Sequence, residues 1–377
     1  MNARIPLLLL LPARTVTHTK VSRADEVNLG ECVRLEKLRD YHGKRETLSK
    51  PVDFVAKPSE VAVTLGDQGA FVRFMTPKGP ADPILLTKVA FQQMSRIVLP
   101  SHGAGFMIKT ADVDTRALPM LTALWAMHAK TCDTPMTYRT QLIKQEDGRI
   151  VRAVMAMVTQ TYAPYSHGQL LQAALDALGN KPVIEHWLTD TTMKLRIIDP
   201  QGENFELGRQ VKMVQMYNSE TGHRSAVVKG GLFSFVCTNG MGTWSDAQQR
   251  RWRHVGDTLR ISREVPDAIN AVSGAMDEVL VTYNKAIDIF IDDAVKYAEA
   301  ELRRHNVSQT IVSQVTQIGM KDPTSSQFGS LAGVVDGMTL IAQNQDIDTC
   351  DLLENIAADV LRRGLRAASD SRIKVLA

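Results

Sequence analysis

The spacing of apolar side chains changes period several times along this chain, and each change marks an element. From about Ser262 to His305, Val265, Ile269, Val272, Met276, Val279, Tyr283, Ile287, Phe290, Ala294 and Tyr297 recur at three- and four-residue steps. That is one face of an amphipathic helix, and the opposite face carries Asp277, Glu278, Asp288, Asp292, Asp293 and Lys296. The spacing predicts a single helix roughly forty residues long, which spans a sheet or joins a neighbouring subunit.

Upstream the period falls to two. Thr137 to Lys144 and Arg149 to Thr159 flank QEDG, a hairpin with Asp147-Gly148 at its turn. Glu60 to Leu65 and Ala70 to Met75 make a smaller hairpin about GDQG. Val211 to Tyr217 pairs with Ser225 to Lys229 across NSETGH, and Leu232 to Cys237 follows Gly230-Gly231 as a third strand. Its continuous apolar run, LFSFVC, reads as a strand covered on both faces. Asn239, Gly240 and Gly242 then tolerate positive φ and shape a sharp turn. A further strand covers Thr191 to Ile198.

Shorter helices are expected around Glu31 to Arg39, from Pro83 to Ile97 with proline in the first turn, and over Thr115 to Lys130. Ser166 or His167 opens another through Leu178, closed by Gly179-Asn180. Two more, about Phe328 to Gln343 and Thr349 to Ala368, finish the chain. The class is α+β: a mainly antiparallel sheet, then a long helix and a C-terminal helical segment. The expected divisions are a basic, partly irregular arm (1–58), a small α+β segment (59–131), the central sheet with the long helix (132–305), and the C-terminal helices (306–377).

Composition narrows the picture only a little. At 377 residues, 44% hydrophobic and 23% charged, the chain can bury a real core without staples. Its net charge of +3 is too small to imply nucleic acid, so only local clustering can. Cys32, Cys132, Cys237 and Cys350 form no Cys-x-x-Cys pair, which argues against a zinc ribbon or disulfide framework. The apolar run Ile5 to Leu11 is bracketed by Pro6 and Pro12 and lacks a cleavage site, and no run reaches membrane-spanning length. A cytoplasmic protein with no membrane partner is expected.

Chemistry concentrates in QQRRWRHVGDTLRISR. Arg250, Arg251, Arg253, His254, Arg260 and Arg263 crowd around Trp252, with Asp257 against them. Guanidinium groups match phosphate oxygens, and an indole offers a surface on which an unpaired base stacks. The competing reading is a solvated basic loop whose Trp252 packs into the core while Arg253 pairs with an acidic neighbour.

Catalytic alternatives are thinner. Cys237 and His254 suggest a thiol and its base only if folding joins them. Asp112 with Asp114, and Asp346 with Asp348, resemble cation ligands but more often cap turns. His102, His167, His186 and His223 lack metal-ligand spacing, His128 reads as a core or boundary residue, and Gly103 and Gly105 lack the rest of a phosphate-binding loop. No cofactor and no metal are expected.

The combination YNSETGHRSAVVKGGLFSFVCTNGM, followed by RHVG, resembles the phage- and plasmid-borne family catalogued as domain of unknown function 932. The likeness is carried by Asn218, Ser219, Gly222, Ser225, Phe233, Val236, Cys237, Asn239, Gly240, Arg253, His254 and Gly256, and extends over roughly Met136 to Gln343. SLAGVVDGMTLIAQ is similar to the family's final helix but has Asp336 in place of an expected Asn. The family has no agreed activity; the resemblance implies a mobile-element protein acting on nucleic acid. Strands followed by one long helix also resemble, at fold level alone, phage single-strand annealing proteins.

The leading expectation is therefore a non-enzymatic protein that binds DNA, single strands above all, and assembles as a homo-oligomer. Arg250, Arg251, Arg253 and Arg260 would meet phosphates and Trp252 a base. A metal-dependent nuclease using Asp112 and Asp114, and an oligomeric scaffold, are the alternatives.

Overall fold

The computed structural model describes residues 17–20, 32–66, 69–99, 117–145, 147–189, 192–199, 210–234, 239–241, 249–321 and 329–369. Its strands are β1 (Thr17–Lys20), β2 (Val33–Arg34), β3 (Val52–Ala56), β4 (Val61–Gly66), β5 (Gly69–Thr76), β6 (Gly79–Pro80), β7 (Ile84–Leu86) and β8 (Met136–Lys144). They continue with β9 (Ile150–Thr159), β10 (Pro182–Leu188), β11 (Met193–Asp199), β12 (Gln210–Asn218), β13 (Ala226–Ser234), β14 (Asn239–Met241) and β15 (Gln249–Trp252). The helices are α1 (Leu35–Ser49), α2 (Lys88–Val98), α3 (Ala117–His128), α4 (His167–Leu178) and α5 (Thr258–Gly274). After them come α6 (Met276–Ile287), α7 (Ala294–Arg304), α8 (Gln309–Gln317), α9 (Leu331–Ala342) and α10 (Ile347–Ser369). The fold is α+β, as the sequence predicts, but it is built on two sheets rather than one.

The first sheet has the order β3-β8-β9-β7-β5-β4, antiparallel except for the pair β7–β9. Phe91 and Met94 of α2 and Leu121 and Trp125 of α3 pack on Val72, Tyr138 and Val154. The Trp125 indole donates to the Val61 carbonyl at 3.0 Å, which satisfies the one polar atom that its burial would orphan. The expected hairpins at GDQG and QEDG both form. The helix expected from Pro83 starts later: Ile84–Leu86 is a buried strand between β5 and β9, and Thr87 caps α2 by accepting from the Ala90 N–H. Pairing on both sides outweighs the local preference of proline for a helical first turn. Because β8 and β9 belong to this sheet, the expected division at residue 131 falls inside a single structural unit.

The second sheet runs β1-β10-β11-β12-β13-β14, with β2 on β10 and β15 on β13. Strand alternation gives it two unlike faces. Met193, Leu195, Ile197, Val214, Met216 and Val228 point to one side and form a core with α1, α4 and α5. Lys194, Arg196, Gln215 and Lys229 point to the other, and α10 lies over them. There Arg196 pairs with Glu185 at 2.9 Å and with Glu354 of α10, while Lys229 pairs with Asp351 at 2.6 Å. Lys194 sits 3.8 Å from both Glu185 and Glu354. β1 and β2 pair with β10, and α1 helps build the apolar core, so the described parts of residues 1–58 belong to the body of the fold instead of forming an irregular arm.

Two further expectations are corrected. Gly230-Gly231 does not separate two strands, because β13 runs straight through both. A Cβ on Gly230 would lie 2.2 Å from Met276 Cε and 3.1 Å from Val272 Cγ1, so the missing side chain lets α5 and α6 sit down on the strand. Gly230→Val is expected to cost about 1–3 kcal/mol by overpacking, read as a lowered denaturation midpoint with an unchanged slope. A midpoint equal to wild type would mean that the flexible end of Met276 swings aside to make room.

The single long helix is three helices. α5 ends at Gly274, and after α6 the chain leaves the helix so that Phe290 bridges Ser330, with the Ile291 N–H donating to Gly329 O and the Leu331 N–H to Ile289 O. At the second break Phe290, expected on the apolar face, is exposed, and its neighbours Ile289 and Ile291 are buried instead in the core of α6–α10. No described helix is long and apolar enough to cross a membrane.

Candidate functional site

The turn between β9 and α4, Thr161 to Ser166, is where distant parts of the chain meet. Asn218 donates from Nδ2 to the Tyr165 carbonyl at 2.8 Å and stands 3.2 Å from His167 Nδ1. The Tyr162 hydroxyl donates to Ser219 O at 3.2 Å. Gly222 sits at φ +70°, and a Cβ there would press on the Tyr162 ring at 3.1 Å. From the other side His254 stacks on Tyr162 with ring centres 5.4 Å apart, and its Nδ1 faces Ala163 O at 3.2 Å. Ala163 N–H donates to His254 O, and Gly256, at φ +88°, donates to Thr161 O. Asn218, Ser219, Gly222, His254 and Gly256 therefore form one latch around a single turn.

Burial sets the protonation of that latch. His167 is held down at about 4, first by burial, against the attraction of Glu220. His254 is also lowered by burial, although its bond to Ala163 O opposes the shift. Both rings are neutral near pH 7, so His254 uses an Nδ1–H donor toward Ala163. Glu220 lies below the ordinary carboxylate value: burial raises it, but the charge that His167 gains at low pH, Arg45 and the His167 backbone N–H outweigh burial, and near pH 7 Arg45 and that N–H remain to hold the carboxylate.

Beside the latch a cleft of about 660 Å³ opens between α2 of the first sheet and the β15 edge of the second. Arg96, Arg224, Arg251 and Arg253 line it, together with His223 and the single carboxylate of Asp348. Register explains which arginines arrive. β15 pairs with β13 so that Trp252 stands opposite Ala226 and Arg251 opposite Val227, and alternation sends the indole into the core and Arg251 to the cleft. Arg96 comes from the last turn of α2. Arg224 is fixed, lying 4.9 Å over the Tyr217 ring and pairing with Asp348 and with Asp351 at 3.3 Å. Arg96, Arg251 and Arg253 are exposed and, among the described residues, have no carboxylate partner.

The remaining expected site residues separate. Trp252 is 7% exposed, packed against the α5 core, and donates to Glu264 at 2.7 Å. Its indole is enclosed in this fold, which leaves no open face for the base stacking expected of it. His254 is 5% exposed, held in the latch, and stands in the wall of the cleft. Arg260 pairs with Glu264 at 2.8 Å, while Arg250 and Arg263 are exposed but do not line the cleft. Asn239 and Gly240 lie in β14, paired with Ser234 and Phe233, so they extend the sheet. Gly242 falls outside the described residues.

Arg96 and Arg224 are the residues that sequence reasoning missed. Neither stands in a basic run, and only the topology brings them beside β15. Cys237, His102, Gly103, Gly105, Asp112 and Asp114 lie outside the described residues. Asp346 caps α10 by accepting from the Asp348 and Thr349 N–H groups, and Asp348 pairs with Arg224, so these two acids are engaged in structure. No group of metal-ligating side chains forms among the described residues.

Fold and site together define an α+β protein of two sheets with an arginine-lined cleft at their junction. No family model, curated protein or solved structure matches the chain.

Proposed function

We propose that this protein binds nucleic acid, holding the phosphates of a single strand in the cleft between the two sheets. The observation that supports this reading is the convergence of Arg96, Arg251 and Arg253, exposed and without described acidic partners, in one concavity. Structural arginines in a folded protein usually acquire a carboxylate, as Arg224 and Arg260 do here. Guanidinium groups left open to solvent and facing one space instead suit phosphate oxygens. A cleft of this size admits a flexible strand or a strand end more readily than a rigid duplex. With Trp252 enclosed, the interaction rests on charge more than stacking, so strong salt dependence follows. The reading requires neither an oligomer nor a catalytic step, and a role in mobile-element replication or annealing belongs to the proposal through the family resemblance.

The test is fluorescence anisotropy of a labelled single strand and its duplex across a salt series. Arg96→Gln/Arg251→Gln/Arg253→Gln is expected to weaken single-strand binding and to lower the log–log salt slope by about two, near 0.7 for each phosphate no longer neutralised. Arg260→Gln, which removes an arginine already paired, is expected to leave both unchanged. A wild-type protein that binds neither strand, or a triple variant with an unaltered slope, would refute the proposal.

A further inference from the structure

Asp348 is the single carboxylate among the described residues that line the arginine cleft. The first turn of α10 carries it there. Ile347 is buried with Trp187, Tyr217 and Val227, which seats that turn on the second sheet and leaves the next residue at the cleft. Arg224 meets α10 at both ends of its guanidinium: Nη1 donates to Asp351 at 3.3 Å, and Nη2 donates to Asp348.

The two acids are unlike partners. Asp351 is mostly enclosed, with 21% of its side chain exposed, and it also holds Lys229 at 2.6 Å. The Asp348 side chain is 68% exposed. An ion pair with so open a partner adds little to stability, because water competes for the charge. Nor does α10 need Asp348 for its start, since Asp346 accepts the Asp348 and Thr349 N–H groups. Asp348 keeps only a slight structural duty, that of a negative charge in a first helical turn. Its position has more to say. A carboxylate matches one phosphodiester phosphate in charge and in having two terminal oxygens, and this one sits beside Arg96, Arg251 and Arg253.

We propose that Asp348 is an internal stand-in for phosphate that masks Arg224, and that a bound single strand displaces it, making Arg224 a fourth phosphate ligand. The inference rests on the nucleic-acid reading of the cleft and adds to it a built-in limit on affinity. The exchange is one anion for one anion at Nη2. Arg224 stays in place throughout, held by Asp351 and by the Tyr217 ring 4.9 Å away, while the exposed carboxylate of Asp348 turns to water.

The experiment is fluorescence anisotropy of a labelled single strand across a salt series, for wild type, Asp348→Asn, Arg224→Gln and the double variant. Asp348→Asn is expected to tighten binding about tenfold at low salt and to steepen the log–log slope by about 0.7, the increment of one further phosphate neutralised. In the Arg224→Gln background the same substitution is expected to leave the slope unchanged, because no masked guanidinium remains. Asp351 retains Lys229 when Arg224 is replaced, so both variants are expected to fold, and urea midpoints check this. If Asp348→Asn leaves the slope at the wild-type value, or gives the same gain in both backgrounds, the inference is overturned while the cleft reading stands. A wild-type protein that binds no single strand overturns both, so the two failures are told apart.

Discussion

Arg196→Met is expected to destabilise the protein by about 3–5 kcal/mol, the cost of leaving buried charge without its partner. Arg196 is 1% exposed and touches Glu185 and Glu354, themselves 4% and 1% exposed. Removing the guanidinium leaves two carboxylates sharing Lys194, which lies 3.8 Å from each. One ammonium at that distance replaces neither the hydrogen bonds nor the charge of the guanidinium. The layer as a whole is balanced, with Lys194, Arg196 and Lys229 set against Glu185, Glu354 and Asp351. It is therefore less a source of stability than a condition on which side chains are allowed. Urea unfolding measures this directly, and a destabilisation below about 1 kcal/mol would mean that water reaches the layer.

The second large effect is on acid stability. His167 is lowered to about 4 in the folded protein, and His42, His223 and His254 are lowered as well, each with burial as the first cause. For a histidine whose folded pKa lies below its unfolded value, the unfolded chain takes the proton first. The stabilisation is complete above the ordinary histidine value of 6.5 and drains away as the pH falls toward 4. For His167 alone the drop from 6.5 to about 4 corresponds to about 3 kcal/mol. His42 acts in the same direction. Unfolding midpoints are expected to fall steeply between about pH 6.5 and 5, before most carboxylates titrate. A flat profile over that interval would show that the rings gain protons without leaving their places.

What the sequence discloses about this fold depends on how local the cause is. The hairpin at Asp147-Gly148 is legible because Gly148 takes a positive φ that glycine accepts freely, and α4 because Ser166 and Gln169 cap it reciprocally. Gly230 misleads because its reason lies outside its own strand, in Met276. The long periodic segment misleads in a related way. Phe290 keeps the helical rhythm in the sequence but lies exposed in a short extended stretch that pairs with Gly329 to Leu331, while its neighbours Ile289 and Ile291 turn inward. Pro266 and Gly274 are local signs of interruption, and only the second coincides with a break.

The candidate site divides along the same line. Arg251 and Arg253 stand in a visible basic run, yet the same run hides a strand whose alternation removes Trp252 from the surface. Arg96 and Arg224 carry no signal of their own, because an isolated arginine acquires meaning only from the surface it is folded against.

The order of synthesis gives the charged face of the second sheet a further role. β10 to β13 leave the ribosome well before α10, the helix that covers Lys194, Arg196, Gln215 and Lys229. A greasy face waiting that long would seek any partner and risk aggregation. The charged rows of that face are hydrated meanwhile, and shed their water only when Glu354 and Asp351 arrive to replace it, whereas Trp187, Tyr217 and Val227 on the same face wait for Ile347. The charged part of the nascent sheet thus tolerates the delay before its cover is translated.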